Sequence, residues 1–158
     1  MKRWSRLQRE IEQLFARELD LRIQCRVYRM ASQSGSTDLP RYWMTLGREV
    51  IWDYPRDAAD RSLYPHVTDI TDISRLIRSY IDTPLAQLLD AANDPWGLGE
   101  VLLAADRRIG KRTRERLKQR LQHPGALAVL NARQRSPTPE VFAHQDGSGQ
   151  VRSDEHSP

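Results

Sequence analysis

The chain has 158 residues, of which 39% are hydrophobic and 29% are charged. This length and composition predict one globular domain with a sizeable core and argue against a disordered chain. The single cysteine, Cys25, excludes an intramolecular disulfide framework and a zinc cluster built on thiolates.

The location of the protein is predicted from what its sequence lacks. The apolar runs are a handful of residues long, far short of a membrane span. No apolar stretch of the kind found in secretory signals follows the N-terminal Met-Lys-Arg-Trp-Ser. We therefore expect a cytoplasmic protein without a membrane partner.

The charge is unevenly distributed along the chain. Residues 1–52 carry ten basic and six acidic side chains, whereas residues 53–106 carry four basic and ten acidic ones. Residues 107–120 then carry eight basic side chains and one acid, and residues 121–158 carry three and four. The sequence pI of about 9.6 thus depends on one segment, which follows directly after an acidic one.

The first elements along the chain are a helix and a strand. Apolar residues recur at helical spacing over residues 4–18, which predicts an amphipathic helix. Apolar and polar side chains alternate over residues 20–30, which is typical of a strand with one buried face. Residues 31–40 are rich in Ser and Gly and end in Pro, so we predict a loop there.

A β-hairpin is predicted next. The runs 41–46 and 49–54 are rich in β-favouring residues and are separated by Gly47-Arg48. With the preceding strand they would form a three-stranded antiparallel meander, and the first helix would cover one of its faces.

The next segment is polar and then becomes helical. Residues 55–65 are predicted to be irregular. Asp69 or Thr71 would then cap a helix that continues to Tyr80. Asp69 and Asp72 form a close acidic pair, which we interpret as helix-capping and first-turn charges.

Two further helix starts are predicted at Thr83-Pro84 and Asp94-Pro95, because each pairs a capping side chain with a first-turn proline. An apolar stripe over residues 98–109 predicts a helix that ends in a left-handed cap at Gly110.

The chain is predicted to end in a basic helix, a short apolar segment and a tail. The basic helix covers residues 111–122 and is broken by Pro124-Gly125. Residues 126–130 could pack back onto the domain. We predict a single α+β domain over residues 1–133 and a disordered tail over residues 134–158. Its architecture is an N-terminal helix with a three-stranded antiparallel meander, followed by a helical half of three to four helices.

Three blocks of sequence occur in a specific order. They are 41-RYWMTLGREVIWDYP-55, 72-DISRLIRSYIDTP-84 and 95-PWGLGEVLLAADRRIGKR-112. In this order they resemble a family of small uncharacterised bacterial proteins, with a Trp-rich hairpin, an I-R-x-Y-I-D-T-P turn and a W-G-L…A-D-R-R-I-G-K-R block. The resemblance covers roughly residues 1–123. It implies a bacterial, cytoplasmic, single-domain protein and carries over no catalytic residue.

The basic helix is the main candidate for binding. Arg112, Arg116 and Arg120 form a row at i,i+4 spacing beside a narrow seam of Leu117 and Leu121. Like charges at this spacing repel, so the row requires a counter-charge. The basic residues that would contact an acidic partner are Arg107, Arg108, Lys111, Arg112, Arg116 and Arg120.

The counter-charge has two candidate sources. One is internal, from the acidic middle of the chain, and the other is external, with a nucleic-acid backbone first and an acidic protein second. The internal candidates are Asp69, Asp72, Asp90, Asp94, Glu100 and Asp106. We interpret Asp106-Arg107-Arg108 as a turn that locks two helices by local ion pairing and capping.

The aromatic hairpin is a second candidate surface. Trp43 and Trp52 are candidate aromatic contacts for bases, although core packing explains most large aromatics. An exposed aromatic side chain beside Arg41 or Arg48 would favour binding.

Catalysis has little support in the sequence. The four histidines are scattered without metal-ligand spacing, so we predict neither a metal nor a cofactor. Cys25 alternates inward on its strand and is interpreted as a small buried hydrophobic residue. A small hydrolase that uses His66, Asp69 and Asp72 is a minor hypothesis.

Two functions follow from these observations. The first hypothesis is a non-enzymatic binding module that engages an acidic partner, nucleic acid first, through its basic helix. The alternative is a protein–protein interaction protein, such as an immunity or accessory factor. Its basic helix would pair with acidic surface of its own fold or of a second copy in a homodimer.

Overall fold

A computed structural model describes residues 4–32, 35–54, 70–89 and 94–135. The elements in chain order are helix α1 Trp4–Glu12, strands β1 Leu21–Ser32, β2 Gly35–Leu46 and β3 Glu49–Tyr54, and helices α2 Ile70–Asp82, α3 Leu85–Leu88, α4 Leu98–Ala105, α5 Lys111–Arg120 and α6 Pro124–Arg135. This order confirms the predicted α+β class. In the described ranges the helical half has five helices, one more than expected.

The three strands form the predicted antiparallel meander in the order β1-β2-β3. Gly47 and Arg48 make the two-residue turn between β2 and β3, since Leu46 pairs with Glu49. Gly47 has a φ of 59°, a conformation that glycine adopts without steric cost. Glycine at the first central position is typical of the type II′ turn, whose twist suits a hairpin.

The predicted loop at 31–40 is wrong, because β1 extends to Ser32 and β2 begins at Gly35. Pro40 pairs with Val27 inside this ribbon. The pairing with β3 begins only at Tyr42, so among the described strands β2 has no neighbour on its second side at Pro40. A proline without an N–H costs little at such an edge, and cross-strand pairing overrides the weak β-propensity of Ser and Gly.

One face of the sheet carries most of the core. Its buried side chains are Leu21, Ile23, Tyr42, Met44, Trp52 and Tyr54. Helix α1 covers this face with Leu7 and Ile11, and it ends at Glu12 rather than at residue 18. Helix α2 lies beside it, where the Tyr42 hydroxyl is 3.0 Å from the hydroxyl of Ser74.

Helix α4 lies at the centre of the helical half. Six of its eight residues are buried: Leu98, Val101, Leu102, Leu103, Ala104 and Ala105. Helix α6 packs against it and also reaches β3, where Gly125 approaches the backbone of Ile51 so closely that a Cβ would overlap its carbonyl. The apolar segment 126–130 is therefore part of a longer helix that closes the core.

Several predicted helix boundaries change. The Asp94 carboxylate accepts hydrogen bonds from the backbone N–H groups of Trp96, Leu98 and Gly99, as a capping side chain does. Pro95 is not in the first turn, however, because α4 begins at Leu98 after Gly97. Thr83 does not cap α3: its hydroxyl donates 2.6 Å back to the Ser79 carbonyl of α2.

The helix predicted over residues 98–109 ends early, at Ala105. Gly110 has a φ of −75° and precedes α5, so the expected left-handed cap is wrong.

Some predictions concern residues that the structure does not describe. These are the irregular segment 55–65, the cap at Asp69 and the tail beyond Arg135. None of the helices in the described ranges is long and apolar enough to cross a membrane.

Candidate functional site

The turn between α4 and α5 is organised around one buried carboxylate. Asp106 is 1% exposed and has an extended backbone, which ends α4. Its carboxylate accepts hydrogen bonds from the Tyr80 hydroxyl at 2.9 Å and from the backbone N–H of Arg108 at 2.9 Å. The Arg108 guanidinium completes the set at 2.6 Å. The predicted local ion pair is confirmed, and the charge of Arg108 is balanced inside the protein.

Arg133 holds the same turn from α6. Its guanidinium donates to the backbone carbonyls of Ala104 and Asp106 at 3.0 Å each and lies 3.4 Å from the Glu18 carboxylate. A cation at this position gives the Ala104 carbonyl, at the end of α4, a partner, and it adds a second donor to the Asp106 carbonyl, which also accepts from the Ile109 backbone N–H at 3.1 Å. Desolvation lowers the pKa of Arg133, and repulsion from Arg114 lowers it further.

The turn is also clamped to the segment between α1 and β1. The backbone N–H of Ala16 donates to the Ala105 carbonyl, and the N–H of Arg107 donates to the Leu14 carbonyl, both at 2.8 Å. Phe15 and Asp106 thereby form an isolated antiparallel bridge. The backbone that carries Arg107 is fixed, while its side chain is exposed.

Helix α5 presents a basic surface above a buried seam. Leu117 and Leu121 are 2% and 7% exposed, so the predicted leucine seam packs into the protein. Lys111, Arg112 and Arg116 point outward.

Two of the basic residues at the end of α5 are engaged. Arg120 donates 3.0 Å to the Leu89 carbonyl. Lys118 lies 3.4 Å from the side-chain oxygen of Gln134 on α6.

The acidic residues of the middle segment do not neutralise α5 within the described ranges. Asp94 caps the start of α4. Glu100 accepts hydrogen bonds from the backbone N–H groups of Gln122 and His123, at 2.8 and 2.7 Å. Asp106 is paired with Arg108 and Tyr80. The side chains of Asp69, Asp72 and Asp90 are outside the described part of the chain.

The predicted binding residues therefore fall into two groups. Arg108 and Arg120 are engaged within the fold. Arg107, Lys111, Arg112 and Arg116 are exposed, and their side chains form no hydrogen bond or ion pair with any described residue. We call this second group the α5 cationic surface.

A cleft adjoins this surface. It has a volume of about 500 Å³ and lies between the α1–β1 segment and the α4–α5 turn. Arg17, Arg22 and Arg107 line it together with Glu12 and Asp20. Arg17 and Arg22 were not predicted as site residues. They lie 85 or more positions from Arg107 in the sequence, and only the backbone clamp between the α1–β1 segment and the turn brings them to the same cleft.

The two candidate tryptophans have different environments. Trp52 is 0% exposed, and its indole N–H donates 2.7 Å to the Trp96 carbonyl. Its prediction as an aromatic contact is wrong, because it faces the core. Trp43 is partly exposed, and the Arg41 guanidinium carbon lies 5.5 Å from its ring centroid. The aromatic ring beside Arg41 is thus only partly exposed, and the role of the hairpin in binding stays a prediction.

The remaining candidates for chemistry are metal ligands, the Cys25 thiol and the residues of the hydrolase hypothesis. Within the described ranges, no three His, Cys, Asp or Glu side chains are close enough to hold a metal ion. Cys25 is half-buried beside Tyr42, and burial raises the pKa of its thiol. A raised pKa lowers the thiolate fraction, so it argues against a nucleophile. The hydrolase hypothesis rests on His66, Asp69 and Asp72, whose side chains are not described.

A family model described as the SF0329 protein family matches the chain over residues 3–75 and again over residues 65–134. No curated protein and no solved structure shows significant similarity to the chain. The family match agrees with the predicted resemblance to an uncharacterised family. That the family shares these three sequence blocks, and that the protein is bacterial, stay predictions.

Proposed function

We propose that this chain, which belongs to the SF0329 protein family, is a non-enzymatic module that binds the phosphate backbone of nucleic acid. The contact would be made by the α5 cationic surface. One observation carries the proposal: four exposed basic side chains lie on one turn and the helix that follows it, and none of them forms an ion pair with a described acid.

The lack of partners for these residues in the described ranges has a physical consequence. Arg112 and Arg116 are one helical turn apart, so their like charges repel by a few tenths of a kcal/mol. Arg108 and Arg120, in contrast, are engaged by a carboxylate and a carbonyl. A surface on which some arginines have partners and an adjacent group has none among the described residues is suited to an external anion.

Rigidity supports the same proposal. The turn before α5 is held by Asp106, Arg133 and the Phe15 bridge, and α5 is anchored by its two leucines. A fixed set of cations loses little conformational entropy when it meets a phosphate backbone. Lysine and arginine contacts to phosphates give affinity without base preference.

The test is binding of short labelled oligonucleotides, measured by fluorescence anisotropy between about 50 and 200 mM salt. We expect affinity to fall linearly on a double-logarithmic plot, because each neutralised phosphate releases counterions. The double variant Arg112→Glu/Arg116→Glu should lose at least about tenfold in affinity at the low-salt end.

The control is Arg9→Glu/Arg48→Glu, which makes the same charge change on exposed residues outside α5. Equal losses in both double variants would show that only net charge matters, and would contradict a site on α5. Absence of binding at low salt would remove nucleic acid as the partner. In that case, an altered oligomeric state of the α5 variant in sedimentation would point to an acidic protein or a homodimer.

A further inference from the structure

The face of the sheet opposite the core carries cations and aromatic rings. Along β1, Arg22, Arg26 and Tyr28 are exposed, whereas Leu21 and Ile23 on the other face are buried. Arg41 and Trp43 continue this face on β2, since Arg26 pairs with Arg41 and Gln24 pairs with Trp43. We call these residues, Arg22, Arg26, Tyr28, Arg41 and Trp43, the outer sheet face.

The two rings of this face are each held by an arginine. The Asp53 carboxylate, which is 5% exposed, accepts hydrogen bonds from the Arg41 guanidinium at 3.0 and 2.6 Å. Arg41 is thereby positioned against Trp43. The Arg26 guanidinium carbon lies 5.2 Å from the Tyr28 ring centroid, and Tyr28 is 40% exposed. Cation–π contacts of this kind orient an aromatic ring on a surface.

Arg26 and Arg41 are directly opposite on neighbouring strands, where like charges repel. Asp53 compensates Arg41. Arg26 contacts the Tyr28 ring and forms no ion pair with any described residue. Among the described residues, the face therefore combines one arginine without an ion pair, Arg26, with exposed aromatic surface, which is the chemistry that recognises unpaired nucleotides.

The outer sheet face is connected to the α5 cationic surface. Arg22 lines the same cleft as Arg107, and Arg107 belongs to the α5 cationic surface. From Arg22, the exposed side of β1 leads to Arg26 over a distance of about 13 Å, at the rise of an antiparallel strand. Basic side chains thus follow one path from α5, past the cleft and onto the sheet.

We propose that the nucleic acid bound by this protein is single-stranded, and that it crosses from α5 to the outer sheet face, where its bases stack on Trp43 and Tyr28. This inference rests on the proposed function, because α5 supplies the backbone contacts. Arg26 contacts the phosphates between the two surfaces, and Arg22, which lies 3.8 Å from the Glu12 carboxylate, contributes less. In a duplex the bases are stacked on each other, so their ring faces are not free to meet Trp43 or Tyr28.

The experiment compares a single-stranded oligonucleotide with a duplex of the same length, at one fixed salt concentration, by anisotropy. The wild type should bind the single strand more tightly. Trp43→Leu and Tyr28→Leu should each weaken single-strand binding about tenfold, and neither should change duplex binding. Trp43→Phe retains a stacking ring and should keep most of the affinity.

The matched control is Val27→Thr, which alters an exposed side chain on the same strand but the opposite face. Thermal melting shows which variants remain folded, and Tyr28→Leu provides a test at an exposed site if Trp43→Leu does not fold.

Unchanged single-strand affinity in both leucine variants would overturn this inference. If nucleic-acid affinity still fell in Arg112→Glu/Arg116→Glu, the proposed function would stand without this inference. Single-strand binding that needs the rings but not α5 would overturn the proposed function instead. Absence of binding to either nucleic acid would overturn both.

Discussion

The α4–α5 turn and the outward side of α5 are both rich in arginine, but their arginines differ in what they contact. In the turn, Arg108 meets a buried carboxylate and Arg133 meets two backbone carbonyls. On α5, Arg112 and Arg116 contact no described acceptor. The difference shows that the number of charges in a segment does not locate a binding surface. A binding surface is located by finding which guanidinium groups have a hydrogen-bond acceptor beside them in the fold and which do not.

The acids of the preceding segment explain why the two regions diverge. Asp94 accepts hydrogen bonds from backbone N–H groups at the start of α4, and Glu100 accepts them from the N–H groups of Gln122 and His123, which directly precede α6. Such N–H groups lack helical partners and attract carboxylates. The acidic charge that could have balanced α5 is used to fix helix ends instead.

The largest expected effect is in the turn, at Asp106. Asp106→Asn removes the charge that Arg108 pairs with and weakens the acceptor of the Tyr80 hydroxyl in a buried site. We expect a loss of about 3 kcal/mol in the free energy of unfolding. Urea denaturation followed by circular dichroism measures it. The control is Asp82→Asn, which changes an exposed carboxylate. A loss as small as that of the control would mean that the turn does not depend on this network.

A smaller effect is expected at Arg133. Arg133→Met keeps the length of the side chain and removes the donors to the Ala104 and Asp106 carbonyls. The Ala104 carbonyl loses this donor, whereas the Asp106 carbonyl keeps the Ile109 N–H at 3.1 Å. A lost buried hydrogen bond destabilises the fold and removal of a desolvated guanidinium partly offsets this, so we expect a loss of about 2 kcal/mol in the free energy of unfolding. Arg135→Met, at an exposed position of the same helix, serves as the control in the same urea titration. Equal midpoints for the two variants would contradict a structural role for Arg133.

Sequence alone predicts much of the sheet and less of the turn. Alternation along β1 and the Gly47-Arg48 turn are local signals, and the meander follows from them. The end of α4 at Ala105 is not local, because it depends on Arg133 and on the Phe15 bridge from distant segments. Likewise, Trp43 and Trp52 have the same hydropathy, so composition does not separate them. Trp43 is on the outer side of the sheet because of strand alternation, and Trp52 is in the core, where its indole N–H meets the Trp96 carbonyl.

The contrast between engaged and unengaged arginines predicts two separable phenotypes. Arg112→Gln/Arg116→Gln should reduce the salt slope of nucleic-acid binding by about 2, since each lost phosphate contact removes close to one unit. The melting temperature should not fall. Arg108→Gln/Arg120→Gln should lower the melting temperature and change the slope less. A slope reduced equally by both pairs would show that the engaged arginines also reach the phosphates.

The smallest expected effect is the change of stability at alkaline pH. Two buried tyrosines report on it, Tyr42 in the sheet and Tyr80 beside the α4–α5 turn. Burial raises the pKa of Tyr42 to about 12, and burial together with Asp106 raises the pKa of Tyr80. The folded state therefore holds both protons more tightly than the unfolded chain, in which tyrosine ionises near pH 10. Their contribution to stability is complete below about pH 10 and is lost as the pH rises through the folded pKa.

Urea midpoints at about pH 9 and about pH 11.5 measure this loss in the wild type, Tyr42→Phe and Tyr80→Phe. Each variant lacks one ionising hydroxyl, so its midpoint should fall less than that of the wild type between the two pH values. Tyr80→Phe should also be less stable at pH 9, because it removes a donor to the buried Asp106 carboxylate. A wild-type midpoint that falls no more than those of the variants would show that the alkaline transition arises elsewhere, and that neither hydroxyl is protected by the fold.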